Sequence, residues 1–515
     1  MNLAEKMTGT AITAPQGATP LVLANLKADA IIHIATSDRE MRSIAESLKF
    51  FSPQTEVLEF PAWDTLPYDR SSPNQSIVSS RVSVLTKLAY GLSKRTIVIT
   101  TANAVLQKIP APKIFKESSI LVEKGKTLPR EDLIKALIKN GYSRVSKVVE
   151  NGEYAVRGSI IDLLPSGAVD GIRIDFFGDE VESIKEFDVL TQISAGEIPR
   201  LQLLPASEII FDAESVERFR SNYRKIFGAV VKEDLLYEAI STGSKYPGQE
   251  NWLPLFYTEL ASIFDYLPNA LITQSHLAPQ GYEERLELIH DYYDARKGTD
   301  YKPLPPENFY LLHPEFNAFT ITPFSVSEES TYKSIKQYGI GGAENIEKLK
   351  SLPKKVYISC FSQGSLEHIK SLLKKHDIAS KQIDEWSYPK SSAVSLFVAP
   401  IEEGFEGKDF IIISEQDIFG DRFIRTQKKK RKAENFLAEA ASIEMDELIV
   451  HESHGIGRFA GLEIVEVSGK SHDMAKLLYD GGDRLFVPVE NFDVISRYGG
   501  DAETAKLDKL GGVQW

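Results

Sequence analysis

Cysteine is almost missing from this sequence. Cys360 is the only one in 515 residues, which excludes an internal disulfide framework and any cysteine-rich zinc site. Long hydrophobic runs are missing too, since none approaches the ~20 residues that a bilayer-spanning helix needs. The opening residues MNLAEKMTGTAITAPQ contain no basic segment followed by an apolar core. Neither a membrane partner nor a secretion signal is expected, and a cytoplasmic protein is the default. Basic charge is in deficit: a net charge of −13 and a pI near 5.4 argue against broad nucleic-acid binding by the whole surface.

A phosphate loop is also lacking. Gly125-Lys126-Thr127 has the right ending, but Ile120 stands where the first glycine of G-x-x-x-x-G-K-T belongs. Gly9–Thr13 carries no lysine, and no D-E-x-H or D-E-A-D box follows a strand-like run. Without a lysine for the phosphates and a carboxylate for magnesium, ATP hydrolysis has no visible machinery. His368 and His376 have no cysteine or carboxylate arrangement around them, and His451 and His454 do not form H-E-x-x-H. Cys360 sits in an apolar run and reads as core. No catalytic residue, cofactor or metal ligand is therefore expected.

What is present describes an ordinary folded protein, 42% hydrophobic and 26% charged. Its length implies three or four domains. Residues 24–108 alternate strand and helix patterns, as in a parallel sheet covered by helices. Ile31–Ala35 is an apolar run, and Ser37 with Glu40 three residues on reads as a capping box. Met41, Ile44, Ala45 and Leu48 follow at helical spacing. The loop PAWDTLPYDRSSPNQS, from Pro61 to Ser76, is rigid and partly apolar, either a packing connection or a ligand loop. Residues 214–315 look helical, and residues 316–420 repeat the strand–helix logic on a smaller scale. Lys428–Lys432 is a basic run that is either a solvated linker or a contact to a nucleic-acid backbone. Residues 446–498 hold short strands separated by glycine turns, which suggests an SH3-like or Tudor-like barrel. Val489–Tyr498 reads as a short helix packing Phe492 and Ile495.

The stretch Asn151–Asp188 organises the chain. In Gly171–Phe177, Ile172, Ile174 and Phe176 point one way and Arg173, Asp175 and Phe177 the other. The first set is a core face. The second, with Arg157 on a neighbouring strand, is either a solvated sheet face or a protein-binding surface, because arginine beside an exposed aromatic is common where proteins dock.

Several stretches resemble one family, the bacterial transcription-repair coupling factors. They are FPAWDTLPYDRSSPNQSIVSSR at 60–81, GEYAVRGSIIDLLPSG at 152–167, IRIDFFGDEVESIKEFD at 172–188 with Thr191 and Gln192 beyond, IVHESHGIGRFAGLE at 449–463, LFVPVENFDVISRY at 485–498 and LDKLGG at 507–512. The first three also resemble the B subunit of the bacterial excision nuclease. The resemblance implies a multidomain α/β fold. A degenerate, helicase-like α/β module would occupy 1–120 and 206–315, interrupted at 121–205 by an inserted β-rich domain that recruits the excision-nuclease A subunit. A small α/β domain at 316–420, a basic and helical linker at 421–445 and a CarD-like polymerase-interaction barrel at 446–515 would follow.

The resemblance places A-subunit binding on Arg157, Arg173 and Phe177. It places docking of the RNA polymerase β subunit on a strand added to the barrel edge. Ala475, Lys476, Leu477, Leu478 and Tyr479 are the expected docking strand, with Leu477 in the contact and Arg484–Phe486 as the alternative. The family continues past Lys-Leu-Gly-Gly into motor domains that use ATP and magnesium and carry most DNA contacts. This sequence stops at Trp515, so it looks like an N-terminal part without them. The expected function is an adaptor in transcription-coupled nucleotide-excision repair. A nucleotide hydrolase and a transcription regulator acting through the barrel alone are the competing readings.

Overall fold

The computed structural model describes residues 12–230, 234–325, 331–386, 393–419, 445, 448–451, 455–467, 470–488, 495–497 and 507. They fall into two compact units, one within 1–68 and 73–423 and the other within 69–72 and 424–515. Among the described residues no helix is long and apolar enough to cross a membrane.

The first sheet is parallel throughout, in the order Ile12–Thr13, Thr322–Ser325, Leu271–Gln274, Ala30–Ala35, Thr96–Thr101, Glu56–Phe60. Its central strands are nearly continuous apolar runs because helices cover both faces. The helix Asp38–Phe51 buries Met41, Ile44, Ala45 and Leu48, the stripe set by its spacing. Ser37 caps it by accepting from the Glu40 amide at 3.3 Å. The Glu40 carboxylate takes the Thr36 amide at 2.7 Å instead of returning to Ser37, so the capping box is only half made. Thr322–Ser325, beyond the expected boundary at 316, pairs within the first sheet, between Ile12–Thr13 and Leu271–Gln274.

The loop after Phe60 is a packing connection. The Tyr68 ring is 1% exposed and its hydroxyl donates to Leu304 O at 2.9 Å. Trp63 Nε1 donates to Glu208 Oε1 at 3.0 Å. Glu208 also receives both arms of the fully buried Arg81, at 2.6 and 3.1 Å, while Arg81 Nη1 donates to Pro61 O at 2.8 Å. This buried, fully hydrogen-bonded pair ties the exit of the inserted domain to the first sheet.

The insertion itself is β-rich. A six-stranded sheet runs Ser194–Glu197, Glu180–Phe187, Gly171–Phe177, Ile160–Leu163, Glu153–Arg157, Ser143–Arg144. One face packs Tyr154, Ile161, Ile172, Ile174, Phe176 and Ile184 with Leu133 and Leu137 of the helix Arg130–Lys139. Gly125–Thr127 is a turn at this domain's rim, with the Gly125 amide donating to Val181 O at 2.8 Å.

The small α/β domain has the order Lys333–Ser334, Phe405–Glu406, Phe410–Ser414, Lys355–Cys360, Val394–Val398, Ser380–Gln382. The Cys360 side chain is fully buried, and burial with Glu415 nearby pushes its thiol up to about 12, the state of an inert core cysteine. This domain shares an apolar core with the first: Phe50 stacks on Phe397 at 4.2 Å, and Leu21, Met41 and Ile44 join Ala399, Ile401 and Phe405.

The C-terminal unit is one antiparallel sheet in the order Arg484–Pro488, Lys470–Leu478, Gly455–Val467, Leu448–His451, Ile495–Arg497. Within the segment 489–498, where a helix is expected, Ile495–Arg497 pairs with Leu448–His451 as a strand, while 489–494 and 498 lie outside the described residues. Backbone pairing to the unit's own sheet overrides a helical reading of so short a segment. Lys428–Lys432 and His454 lie outside the described residues.

Candidate partner-docking sites

Strand register places the arginine face of the inserted domain. Across the sheet Arg157 pairs with Ile160 and Ile160 with Asp175. Ala155 pairs with Asp162, Asp162 with Arg173, and Arg173 with Lys185. Directly paired residues share a face, so Arg157, Arg173 and Asp175 look out together, opposite Ile172, Ile174 and Phe176. Phe177 closes the strand at 78% exposure, just before the tight turn at Gly178, whose φ is +63°. Same-side residues repeat at roughly 6.6 Å, so Phe177 stands roughly 13 Å from Arg173 along the strand.

Arg173 is held rather than free. Nε and Nη2 donate to the two carboxylate oxygens of Asp162 at 2.7 and 3.0 Å, and Nη1 donates to Ser194 Oγ at 2.9 Å. The guanidinium carbon lies 4.9 Å from the Phe187 ring centroid. The hydrogen bond to Asp162 raises its pKa further, so its charge is permanent. Phe187 is fully buried in a small second core with Val148, Ala155 and Leu164. It fits there because Gly171 is its cross-strand partner, and a Cβ at Gly171 would meet the Phe187 ring at 2.2 Å. Arg157 is exposed, with Nη2 donating to Ser146 O at 2.9 Å. The result is a fixed cation, a second and looser cation, and a solvent-facing aromatic on one rigid sheet. The sequence reading missed Asp162, Phe187 and Ser194, the groups that set Arg173. The signal was there in Asp162, an acid inside the apolar run IIDLL.

The expected docking strand lies inside the C-terminal sheet. The Met474–Leu478 part of the strand Lys470–Leu478 is paired on both sides, with Gly455–Val467 and with Arg484–Pro488. Its amides and carbonyls are already used, so no further strand can add there. Ala475 and Leu477 are fully buried, Tyr479 is 2% exposed, and Lys476 forms an ion pair with Glu463 at 2.5 Å. The Leu477 side chain, where the contact is expected, is buried in the core of this unit. Among the described residues the outer strands of this sheet are Arg484–Pro488, the alternative strand, and Ile495–Arg497.

At the carboxyl ends of the first parallel sheet, polar groups close on one another. His33 Nδ1 lies 2.9 Å from Thr273 Oγ1 and its Nε2 3.3 Å from Ser275 Oγ, which donates to Glu40 Oε1 at 2.8 Å. The Tyr282 hydroxyl donates to Gln274 Oε1 at 2.8 Å. Among the described residues no group of three His, Cys, Asp or Glu side chains converges on a possible metal position.

The fold and these surfaces define a class: a multidomain α/β protein carrying β-sheet modules suited to docking. Residues 120–209 match the family described as UvrB interaction domain, 349–418 that described as MFD, D3 domain, and 444–499 that described as CarD-like/TRCF RID domain. The chain is 34% identical to the transcription-repair-coupling factor of Rickettsia prowazekii over 95% of its own length and 45% of the relative's. It is 33% identical to that of Haemophilus influenzae over 89% and 42%. It is 29% identical to that of Escherichia coli over 96% and 45%. Over nearly its whole length the chain is similar to transcription-repair-coupling factors, and it spans less than half the length of these curated relatives.

Proposed function

We propose that this chain is an adaptor in transcription-coupled nucleotide-excision repair, joining RNA polymerase to the damage-recognition A subunit of the excision nuclease. The observation that carries it is the face of Arg157, Arg173 and Phe177, where a large aromatic is left in water beside a clamped guanidinium. Arginine and aromatic anchors of this kind supply most of the binding energy at protein interfaces. Polymerase docking is assigned to the C-terminal unit, through a β-subunit strand added at the Arg484–Pro488 edge.

The test is a co-precipitation with purified A subunit and polymerase β subunit. The chain should hold both at once, and Arg173→Ala should weaken A-subunit binding by about 1–3 kcal/mol while leaving polymerase binding unchanged. Failure of folded chain to retain the A subunit would refute the assignment. A regulator that binds polymerase alone would leave the exposed Phe177 without a purpose.

ATP-driven translocation, which the resemblance gives to motor domains, is not assigned to these residues. His33 bonded to Thr273 and Ser275, and Gln274 accepting from Tyr282, fill the carboxyl ends of the parallel strands, where a nucleotide enzyme of this fold class places its phosphate and magnesium ligands. Calorimetric titration of the chain with Mg-ATP should give no binding heat.

A further inference from the structure

The turn that follows the arginine face is built with unusual stiffness and displays apolar side chains. Leu190 is 81% exposed and Ile193 is 69% exposed, and Val149 on the neighbouring segment is 49% exposed. Single exposed aliphatics are ordinary, but a contiguous set on a turn, where polar residues are the rule, marks a contact surface.

The backbone beneath them is locked. Asp188 Oδ1 accepts from the Leu190 amide at 3.1 Å, the Thr191 amide at 2.7 Å and the Thr191 hydroxyl at 2.8 Å. The Gln192 amide donates to Asp188 O at 2.7 Å, and the Asp188 amide to Ile193 O at 3.0 Å. Gln192 itself has φ of +64°, a conformation that favours glycine. Its side-chain amide donates to Val189 O at 2.7 Å and Val148 O at 3.2 Å, while its buried Oε1 has no hydrogen-bond partner among the described residues. Strained backbone and an orphaned acceptor persist where the surroundings impose them, and they concentrate at functional sites.

The turn is also continuous with the docking face. Ser194, directly after Ile193, receives Arg173 Nη1. Val148, the Gln192 partner, packs with Val189 in the core that supports the Phe187 ring under Arg173. The segment that carries Val149 also holds Ser146, the carbonyl partner of Arg157.

We propose that Leu190 and Ile193, with Val149, form a second, apolar contact for the same partner that engages Arg157, Arg173 and Phe177. This rests on the reading that the inserted domain recruits the excision-nuclease A subunit, and it predicts a matching apolar patch on that protein. The turn is preorganised, so little entropy is lost when it docks.

The experiment measures affinity for purified A subunit by fluorescence anisotropy, comparing the wild-type chain, Arg173→Ala, the pair Leu190→Ser with Ile193→Ser, and Gln192→Ala. The paired change lies in solvent and should leave the circular dichroism and melting curve unaltered while weakening binding about tenfold or more. Gln192→Ala keeps both apolar side chains but frees the turn, and a loss of about threefold is expected. Wild-type affinity in the paired variant, beside loss in Arg173→Ala, would overturn this inference alone. Absence of binding by the wild-type chain would overturn it together with the reading beneath it. A paired variant that alters only self-association in sedimentation would identify a second copy as the occupant and also sink the proposal.

Discussion

His33 illustrates what burial does to a single group. It is fully enclosed between Thr273 and Ser275, and desolvation lowers its pKa from 6.5 to about 4, with Glu40 opposing the shift. A base whose folded pKa is depressed resists protonation in the native state while the unfolded chain takes the proton. Its contribution is therefore complete above about pH 6.5, drains away as the pH falls toward 4, and is gone below. The total is about 3 kcal/mol at about 1.4 kcal/mol per pH unit. Urea midpoints of the chain should drop between pH 6.5 and 5, a window above ordinary carboxylate titration, and His33→Gln should flatten that drop. An unchanged slope in the variant would assign the pH sensitivity elsewhere. Arg173 makes a complementary point: its position is set by Asp162, Ser194 and Phe187 together, each supplied by a different strand.

At the scale of elements, strand order decides what a surface can do. The strands Lys470–Leu478 and Arg484–Pro488 have similar alternation, yet one is central and the other an edge. Phe486 and Leu485 are half-buried, and Arg484 is exposed. Exchange of Arg484 for Glu, or Phe486 for Lys, should weaken polymerase β-subunit binding about tenfold or more without unfolding the sheet, because edge strands tolerate charge. Leu477→Arg should instead place an unpaired charge in the core and abolish the fold of this unit, seen as loss of its dispersed amide spectrum. A folded Leu477→Arg variant that merely fails to bind polymerase would return the contact to Leu477.

For the larger unit, the controlling feature is the core shared by the first sheet and the small α/β domain. Phe50, Phe51, Trp386 and Phe397 form one aromatic cluster, and Gly17 approaches the Glu403 carbonyl so closely that a Cβ would lie 1.7 Å from it. Arg39 and Glu402 add an exposed ion pair at 2.7 Å, which contributes little beside the apolar contact. The two domains should therefore unfold together. Phe397→Ala should cost about 3–5 kcal/mol and lower the melting of both, followed by tryptophan fluorescence and by protease protection of the first sheet. Independent melting of the two domains would show the shared core to be weak.

Sequence alone determined what periodicity and composition can carry. The stripe Met41, Ile44, Ala45, Leu48, the alternation of Gly171–Phe177 and the apolar strand around Cys360 each record a local choice of face, since side-chain direction follows from helix and strand geometry. The quoted stretches likewise carried the family. Tertiary structure decided the rest, because pairing partners lie far apart in sequence. Thr322–Ser325 joined the first sheet, Ile495–Arg497 became a strand, and Leu477 was enclosed by two neighbours. The clamp on Arg173 formed only when strands 160–163, 171–177, 180–187 and 194–197 came side by side. A strand's own residues state which face is apolar; only the whole sheet states which strand is left with an open edge.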